Sequence, residues 1–184
     1  MSLPQIAITG IGALCASGLD LNSACAALFK ERRLPTTARR FQLEQPRIFP
    51  VFELAPGEFD DELPEHPWSR TTRLALAAAQ AALHDAGLSQ PDQLSRFRVG
   101  VCIGTTVGAS LNNEDFYRSF KAGQEPDPEP VKRFLRGNPA EVLARSFRLQ
   151  GPYLTIVNAC SSGSDALAIG ASWLKSSPGS AIWF

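Results

Sequence analysis

Cys160 is the residue whose type and setting most favour covalent chemistry. It lies between a β-branched run at residues 153–157 (YLTIV) and an alanine-rich segment that begins near residue 162. This order predicts a strand, a turn of small residues and then a helix. A thiol at the first turn of a helix faces unpaired backbone N–H groups and the positive end of the helix dipole, which favour the thiolate. Cys160 is therefore a candidate nucleophile, and the same N–H groups can stabilise an oxyanion.

The alternative for such a cysteine is a packing role. Free cysteines are among the most buried residue types, and one in a strand-to-helix turn more often fills space than reacts. The other three cysteines, Cys15, Cys25 and Cys102, are too scattered to predict a disulfide framework or a zinc site, and we interpret them as packing residues. With only His66 and His84 in the chain, no metal cluster is predicted either.

Four stretches in a fixed order carry a resemblance to a known family. They are residues 6–12 (IAITGIG), 77–88 (AAAQAALHDAGL), 99–106 (VGVCIGTT) and 158–163 (NACSSG). These stretches resemble the opening strand and turn, an alanine-rich helix, the second core strand and the active-site signature of the β-ketoacyl-[acyl carrier protein] synthases. Those enzymes are condensing enzymes of the thiolase-like superfamily. The resemblance covers the whole chain, but only the first half of the family's fold.

The resemblance implies an α/β fold of the thiolase-like type, with layers in the order α-β-α-β-α. Residues 1–184 would form the N-terminal ketosynthase domain, truncated before the C-terminal half. The alternation of strands and helices along the chain independently predicts a mostly parallel sheet flanked by helices. In the family the second half supplies two histidines and a lysine, and neither His66 nor His84 matches those motifs. We therefore expect that part of the site to be absent from these 184 residues.

The activity that the resemblance implies is that of a β-ketoacyl synthase, an acyltransferase of fatty acid or polyketide biosynthesis. Cys160 would take an acyl group from the phosphopantetheine of an acyl carrier protein, and decarboxylative Claisen condensation with malonyl carrier protein would follow. No other cofactor and no metal is expected. Val107 falls where the family has an aliphatic residue beside the acyl pocket, although it could equally be ordinary core. His84, near the end of a predicted helix, is interpreted as structural.

The resemblance also implies partners. In the family the strand before the nucleophile, here residues 153–157, pairs with its twin across a two-fold axis, so we expect a homodimer or a ketosynthase-like heterodimer. Acyl carrier protein is the second expected partner. A basic cluster could contact it, or could simply be a solvated loop; its members are Arg32, Arg33, Arg39 and Arg40.

Composition limits the other classes of partner. Eighteen basic and eighteen acidic residues leave no net charge, so nothing global attracts nucleic acid or an anionic membrane. No apolar run reaches the length of a membrane span, and the N-terminus lacks the cationic start of a signal peptide. The expectation is a cytoplasmic protein without nucleic-acid or membrane partners.

Other functional classes stay open at this level. A non-catalytic ketosynthase-like module could bind carrier protein or a partner subunit, but non-catalytic relatives such as chain-length factors typically replace the cysteine that is present here. A thiolase proper or a cysteine hydrolase is a further alternative, and a hydrolase would need a nearby histidine base. Residues 10–12 (GIG) resemble the start of a dinucleotide fingerprint, but residue 15 is Cys where that fingerprint needs Gly. We interpret these glycines as letting a turn pass close beneath the active site.

Caps and helix breakers predict the remaining elements. They are a strand over residues 6–9, a helix from Asp20 or Asn22 to about residue 32, an edge segment over residues 48–54, a helix from Ser69 or Thr71 to Gly87, a helix over residues 112–121, an irregular loop over residues 123–130, a helix capped by Asn138, and the start of a strand at Ser180. In the first helix Leu28 is predicted to face inward. In the helix after Asn138, Glu141 is expected to reach back to the cap and Val142 to face inward.

Overall fold

A computed structural model describes residues 6–30, 34–39, 47–54, 57, 59, 67–176 and 180–183. The helices are α1 (Leu21–Phe29), α2 (Arg70–Asp85), α3 (Pro91–Leu94), α4 (Glu114–Lys121), α5 (Glu129–Arg136), α6 (Pro139–Ser146) and α7 (Ser162–Ser176). The strands are β1 (Thr36–Thr37), β2 (Pro50–Val51), β3 (Arg98–Thr105), β4 (Tyr153–Val157) and β5 (Ser180–Trp183). Two 3₁₀ turns, Ser110–Asn113 and Ala159–Ser161, precede α4 and α7. None of the described helices is long and apolar enough to cross a lipid bilayer.

A three-stranded parallel sheet in the order β4-β3-β5 lies at the centre. The pairing of β3 with β4 ends at Thr105 opposite Val157, and its pairing with β5 starts at Arg98 opposite Ser180. The strands are parallel, so the segments that follow β3 and β4 leave the sheet at the same edge. This confirms the predicted parallel sheet and the strand predicted from Ser180.

Helices cover both faces of the sheet. Val101 of β3 is 1% exposed and packs in one cluster with Leu143 and Ala144 of α6. Gly104 of the same strand faces the first turn of α7, where a β-carbon on it would meet Ser162. Since successive residues of a strand point to opposite faces, α6 and α7 lie on opposite sides of β3. The observed order is therefore helix, sheet, helix.

Helix α2 joins the α6 side of this core. Ser69 caps its start, with a side chain that accepts from the Thr72 N–H at 3.3 Å. The chain turns away after the end of the helix at Gly87, which has a φ of 69°. The Leu88 N–H then donates to the Leu83 carbonyl at 2.8 Å, which closes the left-handed cap that the sequence predicts. Leu83 itself packs with Val99 at the start of β3.

The predicted cap of α6 is also confirmed. The Asn138 side chain accepts from the Ala140 N–H at 3.0 Å and from the Glu141 N–H at 3.4 Å. Glu141 does not reach back to the cap, because its carboxylate pairs with Arg145 one turn ahead at 2.6 Å. Val142, 1% exposed, lies inward as expected.

Helix α1 has the predicted Asp20 cap. The carboxylate accepts from the Ser23 N–H at 2.9 Å and from the Ser23 hydroxyl, and these bonds lower the pKa of Asp20. The helix ends at Phe29 with Lys30 as its C-cap, short of the predicted end near residue 32. Residues 31 and 32 lie outside the described part. Leu28, predicted to face inward, is 73% exposed.

The strand predicted over residues 6–9 is wrong. Residues 6–10 have no regular structure, and Ile8 is 75% exposed. A strand is held by hydrogen bonds to a neighbouring strand, and no strand of the described sheets pairs with this segment. The β-branched composition of residues 6–9 was therefore not enough to form a strand.

The interpretation of the early glycines also needs correction. Gly10 and Gly12 lie against α2, where β-carbons on them would meet the backbone of Ala82 and Ala78. Their close approach is to that helix and not to the turn that carries Cys160.

The loop predicted over residues 123–130 is shorter than expected, because α5 begins at Glu129. The Glu129 N–H donates to Asp127 Oδ1 at 3.0 Å. Pro130 falls in the first turn of the helix, where its missing N–H costs little. The helix predicted over residues 112–121 is confirmed as a 3₁₀ turn followed by α4.

The edge segment predicted over residues 48–54 contains the short strand β2, which pairs antiparallel with β1. Beside it, the Arg39 N–H donates to Glu53 Oε2 at 3.0 Å. The other members of the basic cluster and His66 lie outside the described residues.

Candidate active site

Cys160 lies on the 3₁₀ turn Ala159–Ser161, between the end of β4 and the start of α7 at Ser162. Its thiol is exposed and free. The dipole of the fifteen-residue helix α7 has its positive end at this turn. The strand, turn and helix predicted around Cys160 are confirmed, while its role as nucleophile stays a prediction at this point.

The backbone before Cys160 has an uncommon conformation. Ala159 has a φ of 46°, in the left-handed region that non-glycine residues seldom adopt. Its carbonyl accepts from the Ser162 hydroxyl at 2.7 Å, which ties the turn to the first residue of α7. Such conformations persist only where the surroundings hold them, and they concentrate at active sites.

A side-chain network surrounds the same turn. Asn158 Nδ2 donates to Asp165 Oδ2 at 2.7 Å and to Ser161 Oγ at 2.8 Å. The Ser161 hydroxyl lies within hydrogen-bonding distance of the Asn158 carbonyl, 3.0 Å, and of Asp165 Oδ2, 3.2 Å. Asn158, two residues before Cys160, and Ser161, directly after it, thus both bond through their side chains to the first turn of α7. The sequence did not single out Asn158 or Asp165. Their only signal was their position on either side of the turn Ala159–Ser161, which we call the elbow.

Val107 lies in the turn that follows β3 and is 42% exposed. The site of a β-carbon on Gly108 lies 3.7 Å from Val157 Cγ2, so this turn touches the end of β4. Val107 and Cys160 therefore lie on segments that follow two neighbouring strands at the same edge of the sheet. Val107 is not buried among the described residues, and its place beside an acyl pocket stays a prediction.

Asn112 anchors the Val107 turn to α2. Its Oδ1 accepts from the Arg70 N–H at 3.2 Å, and its Nδ2 donates to Thr71 Oγ1 at 3.1 Å and to the Ala109 carbonyl at 2.9 Å. These bonds join the start of α2 to the segment that follows Val107. The turn therefore has a defined position beside the elbow.

The three other cysteines differ in their environments. Cys102 is fully buried in β3, which confirms its packing role, and burial raises the pKa of its thiol. Cys15 and Cys25 are exposed, so their interpretation as packing residues is wrong. Cys25 follows Ala24, which is the buried residue of α1.

His84 is exposed in the last turn of α2. Its neighbour Leu83 packs on Val99, at the amino end of β3, whereas Cys160 follows the carboxyl end of the adjacent β4. An eight-residue strand such as β3 is about 25 Å long. The structure therefore places His84 and Cys160 toward opposite ends of the sheet.

Comparison with known proteins identifies the family. The family model described as "Beta-ketoacyl synthase, N-terminal domain" matches residues 4–177. The ketoacyl synthase alpha subunit of the tetracenomycin polyketide synthase of Streptomyces glaucescens is 25% identical over 93% of this chain and 42% of its own length. Nodulation protein E of Rhizobium sp. (strain N33) is 28% identical over 89% of this chain and 42% of its own length.

A solved structure, the ishigamide ketosynthase/chain length factor, superposes with a TM-score of 0.74 at 27% identity, over 92% of this chain and 43% of that one. This confirms the thiolase-like α/β fold, of which α6, the central sheet and α7 form three layers. The chain spans less than half the length of the curated relatives it matches. It belongs to the beta-ketoacyl synthase family and carries that family's N-terminal domain.

Proposed function

We propose that this chain provides the acyl-accepting part of a β-ketoacyl synthase active site, with Cys160 as the nucleophile. The observation that carries the proposal is the exposed, free thiol on the turn between β4 and α7. Three features support it: the strained Ala159 before the thiol, the helix N-terminus after it, and the exposed Val107 turn at the same sheet edge.

The first step is acyl transfer to Cys160. The thiolate sulfur attacks the carbonyl carbon of an acyl thioester on the phosphopantetheine of an acyl carrier protein. The resulting oxyanion is stabilised by backbone N–H groups near the start of α7. The intermediate then collapses, the C–S bond to pantetheine breaks, and the departing thiolate takes up a proton. The acyl group remains as a thioester on Cys160, with its chain beside Val107.

The second step is decarboxylative condensation. Malonyl carrier protein loses CO₂, and the carbanion attacks the carbonyl carbon of the Cys160 thioester. The Cys160 thiolate leaves, and the product is a β-ketoacyl group on the carrier protein. Because His84 lies toward the other end of the sheet, we assign the decarboxylating groups to the second half of the family's fold, which these 184 residues do not span. No prosthetic group beyond the phosphopantetheine of the carrier is invoked.

The exposed edge of β4 supports a dimer as the functional form. Among the described strands, β4 pairs only with β3, while Tyr153 and Val157 are 51% and 58% exposed. An unpaired apolar edge favours association with another strand. The related solved structure is that of the ishigamide ketosynthase/chain length factor. The partner subunit is accordingly a second copy of this chain or a ketosynthase-like subunit.

The test is the intact mass of the natural gene product that contains this chain, after incubation with a short acyl thioester. We expect one acyl adduct, mapped by peptide mass spectrometry to Cys160. Cys160→Ala should abolish the adduct, whereas Cys25→Ala, which removes another exposed thiol, should leave it unchanged.

The outcomes separate two functional classes. An adduct on Cys160 that chases into a β-ketoacyl product with malonyl carrier protein supports the proposed reaction. A wild-type protein that binds carrier protein without forming any adduct would overturn it and indicate a non-catalytic binding module. Labelling spread equally over Cys15, Cys25 and Cys160 would also count against a dedicated nucleophile.

A further inference from the structure

We propose that Asp165 is a positioning residue for Cys160, which it orients through Asn158 and Ser161. The inference rests on the proposed function, since it concerns how the acyl-accepting thiol is held. Asp165 does not touch the substrate in this proposal. Its action passes through Asn158, two residues before Cys160, and Ser161, directly after it.

The contacts form a closed set around the elbow. Asp165 Oδ2 accepts from Asn158 Nδ2 at 2.7 Å, and Ser161 Oγ lies 3.2 Å from the same oxygen. Asn158 Nδ2 also donates to Ser161 Oγ at 2.8 Å. The residue before the strained Ala159 and the residue after Cys160 are thereby fixed to one carboxylate on α7.

The Asp165 carboxylate binds the chain just beyond the last paired residue of β4. The paired register of β3 and β4 ends at Val157, so Asn158 is the first residue beyond the described ladder. The left-handed Ala159 follows immediately. A hydrogen bond to a carboxylate is stronger than one between neutral groups, and Asp165 is only partly exposed, so solvent screens it less than a fully exposed group. The network thus holds the backbone direction at Cys160.

A purely structural role for Asp165 makes a different prediction. An acidic residue in the first turn of a helix stabilises that helix through its dipole, whatever residue 158 is. A positioning role depends on the Asn158 partner. Exchanging the two side chains separates the roles, because it restores the amide–carboxylate hydrogen bond while removing the charge from the helix.

The experiment uses the natural gene product with the variants Asp165→Ala, Asn158→Asp, and the double variant Asn158→Asp/Asp165→Asn. Two rates are measured for Cys160 by peptide mass spectrometry: acylation by a short acyl thioester and alkylation by iodoacetamide. Alkylation of the exposed Cys15 and Cys25 in the same samples is the internal reference. Ser176→Ala removes a hydroxyl that donates to the Trp173 carbonyl at 3.0 Å at the far end of α7, and it serves as the matched control.

We expect Asp165→Ala to slow acylation of Cys160 about tenfold, the effect of losing one charge-assisted hydrogen bond that holds the reactive geometry. Asn158→Asp should slow it at least as much, because two carboxylates then face each other. The double variant should recover to within about threefold of wild type. Ser176→Ala should match wild type.

Equal acylation rates in wild type and Asp165→Ala would overturn the inference, as would a double variant no faster than Asn158→Asp alone. Circular dichroism and the melting temperature show which variants remain folded. If Asp165→Ala does not fold, the comparison of Asn158→Asp with the double variant decides. A wild-type Cys160 that alkylates but accepts no acyl group would defeat the proposed function, and the alkylation rates would still test the positioning role.

Discussion

Gly104 of β3 and Ser162 of α7 lie so close together that a β-carbon on Gly104 would overlap the Ser162 carbonyl, and it would lie 2.6 Å from the nitrogen of Gly163. The first turn of α7 therefore rests on the backbone of β3. Cys160 is two residues before Ser162, so its position depends on this contact. A glycine inside a strand weakens that strand, and it often marks a site where another backbone approaches closely.

Gly104→Ala should displace the start of α7. The added methyl group meets backbone atoms, which cannot rotate away, so we expect the free energy of unfolding to fall by about 1–3 kcal/mol. The acylation rate of Cys160 should fall at least about tenfold, because small displacements of a reacting group are costly. Denaturant unfolding and the intact-mass assay measure the two effects.

Gly163→Ala is the matched control for stability. A β-carbon on Gly163 has no atom within 4 Å in the described structure, and alanine is favoured over glycine in a helix by about 0.5–1 kcal/mol. This variant should be as stable as wild type or more so. Equal destabilisation by both substitutions would contradict the proposed contact.

Asn138→Ala should loosen α6 from the sheet. Asn138 Oδ1 accepts from the Thr155 hydroxyl of β4 at 2.7 Å as well as from the start of α6. Loss of such a cap costs about 1–2 kcal/mol, and denaturant unfolding measures it. Asn138→Asp, which keeps the acceptor, should lose much less.

The link between cap and strand can be isolated by adding Thr155→Val. If the cap also holds β4, the double variant Asn138→Ala/Thr155→Val should lose less than the sum of the single losses, with a coupling of about 0.5–1 kcal/mol. Strictly additive losses would show that the cap and the strand act independently.

The elements around the site were predictable because their signals are local. The β-branched run before Cys160 is bounded by a Gly-Pro turn, and α6 and α2 begin at residues with strong capping side chains. The alternation in β3 likewise reflects its burial between two helices, with Val99 and Val101 each 1% exposed. Where neighbouring residues determine the structure, the sequence predicted the element.

The failures concern contacts made over longer distances. Residues 6–9 have strand composition but no described strand partner, and Gly10 and Gly12 are small because α2 lies over them. The Asn158–Asp165 hydrogen bond spans a turn that contains the left-handed Ala159, a conformation that composition does not reveal. An alanine does not predict a left-handed conformation, since glycine or asparagine is the usual residue there.

Cys102 should make stability depend on alkaline pH. Burial raises the pKa of its thiol, so the folded protein keeps this proton at pH values where the unfolded chain has lost it. As the pH rises above about 8.5, the free energy of unfolding should fall, by at most about 1.4 kcal/mol per pH unit. Cys102→Ala should lower stability at neutral pH but flatten this alkaline slope.

The measurement is denaturant unfolding between about pH 8 and pH 10, above the ordinary pKa of a thiol. Cys25→Ala, which removes an exposed cysteine, should retain the wild-type slope. A wild-type slope in Cys102→Ala would assign the alkaline loss of stability to other groups.

Val107→Phe should shorten the acyl chain that Cys160 accepts. The larger side chain occupies space beside the sheet edge where the acyl chain is proposed to lie. Acylation by a decanoyl thioester should slow at least about tenfold relative to acylation by an acetyl thioester, the range expected for a few misfitting methylene groups. Leu111→Phe, at a residue 71% exposed, makes a comparable change outside the turn and should leave the ratio unchanged. An unchanged ratio in Val107→Phe would remove Val107 from the pocket.

Tyr153→Lys should weaken the proposed pairing of β4 with a second subunit. Tyr153 is 51% exposed on the edge strand, and a charge there opposes edge-to-edge association, the more so when two copies face each other. We expect the dimer dissociation constant to rise at least about tenfold, equivalent to about 1.4 kcal/mol. Light scattering of the natural gene product across a dilution series measures this constant.

Leu135→Lys, at a residue 76% exposed on α5, adds the same charge away from β4 and should leave the dimer intact. Because the edge of β4 leads directly to Cys160, a monomeric Tyr153→Lys variant that still acylates at the wild-type rate would show that the thiol is set within one subunit.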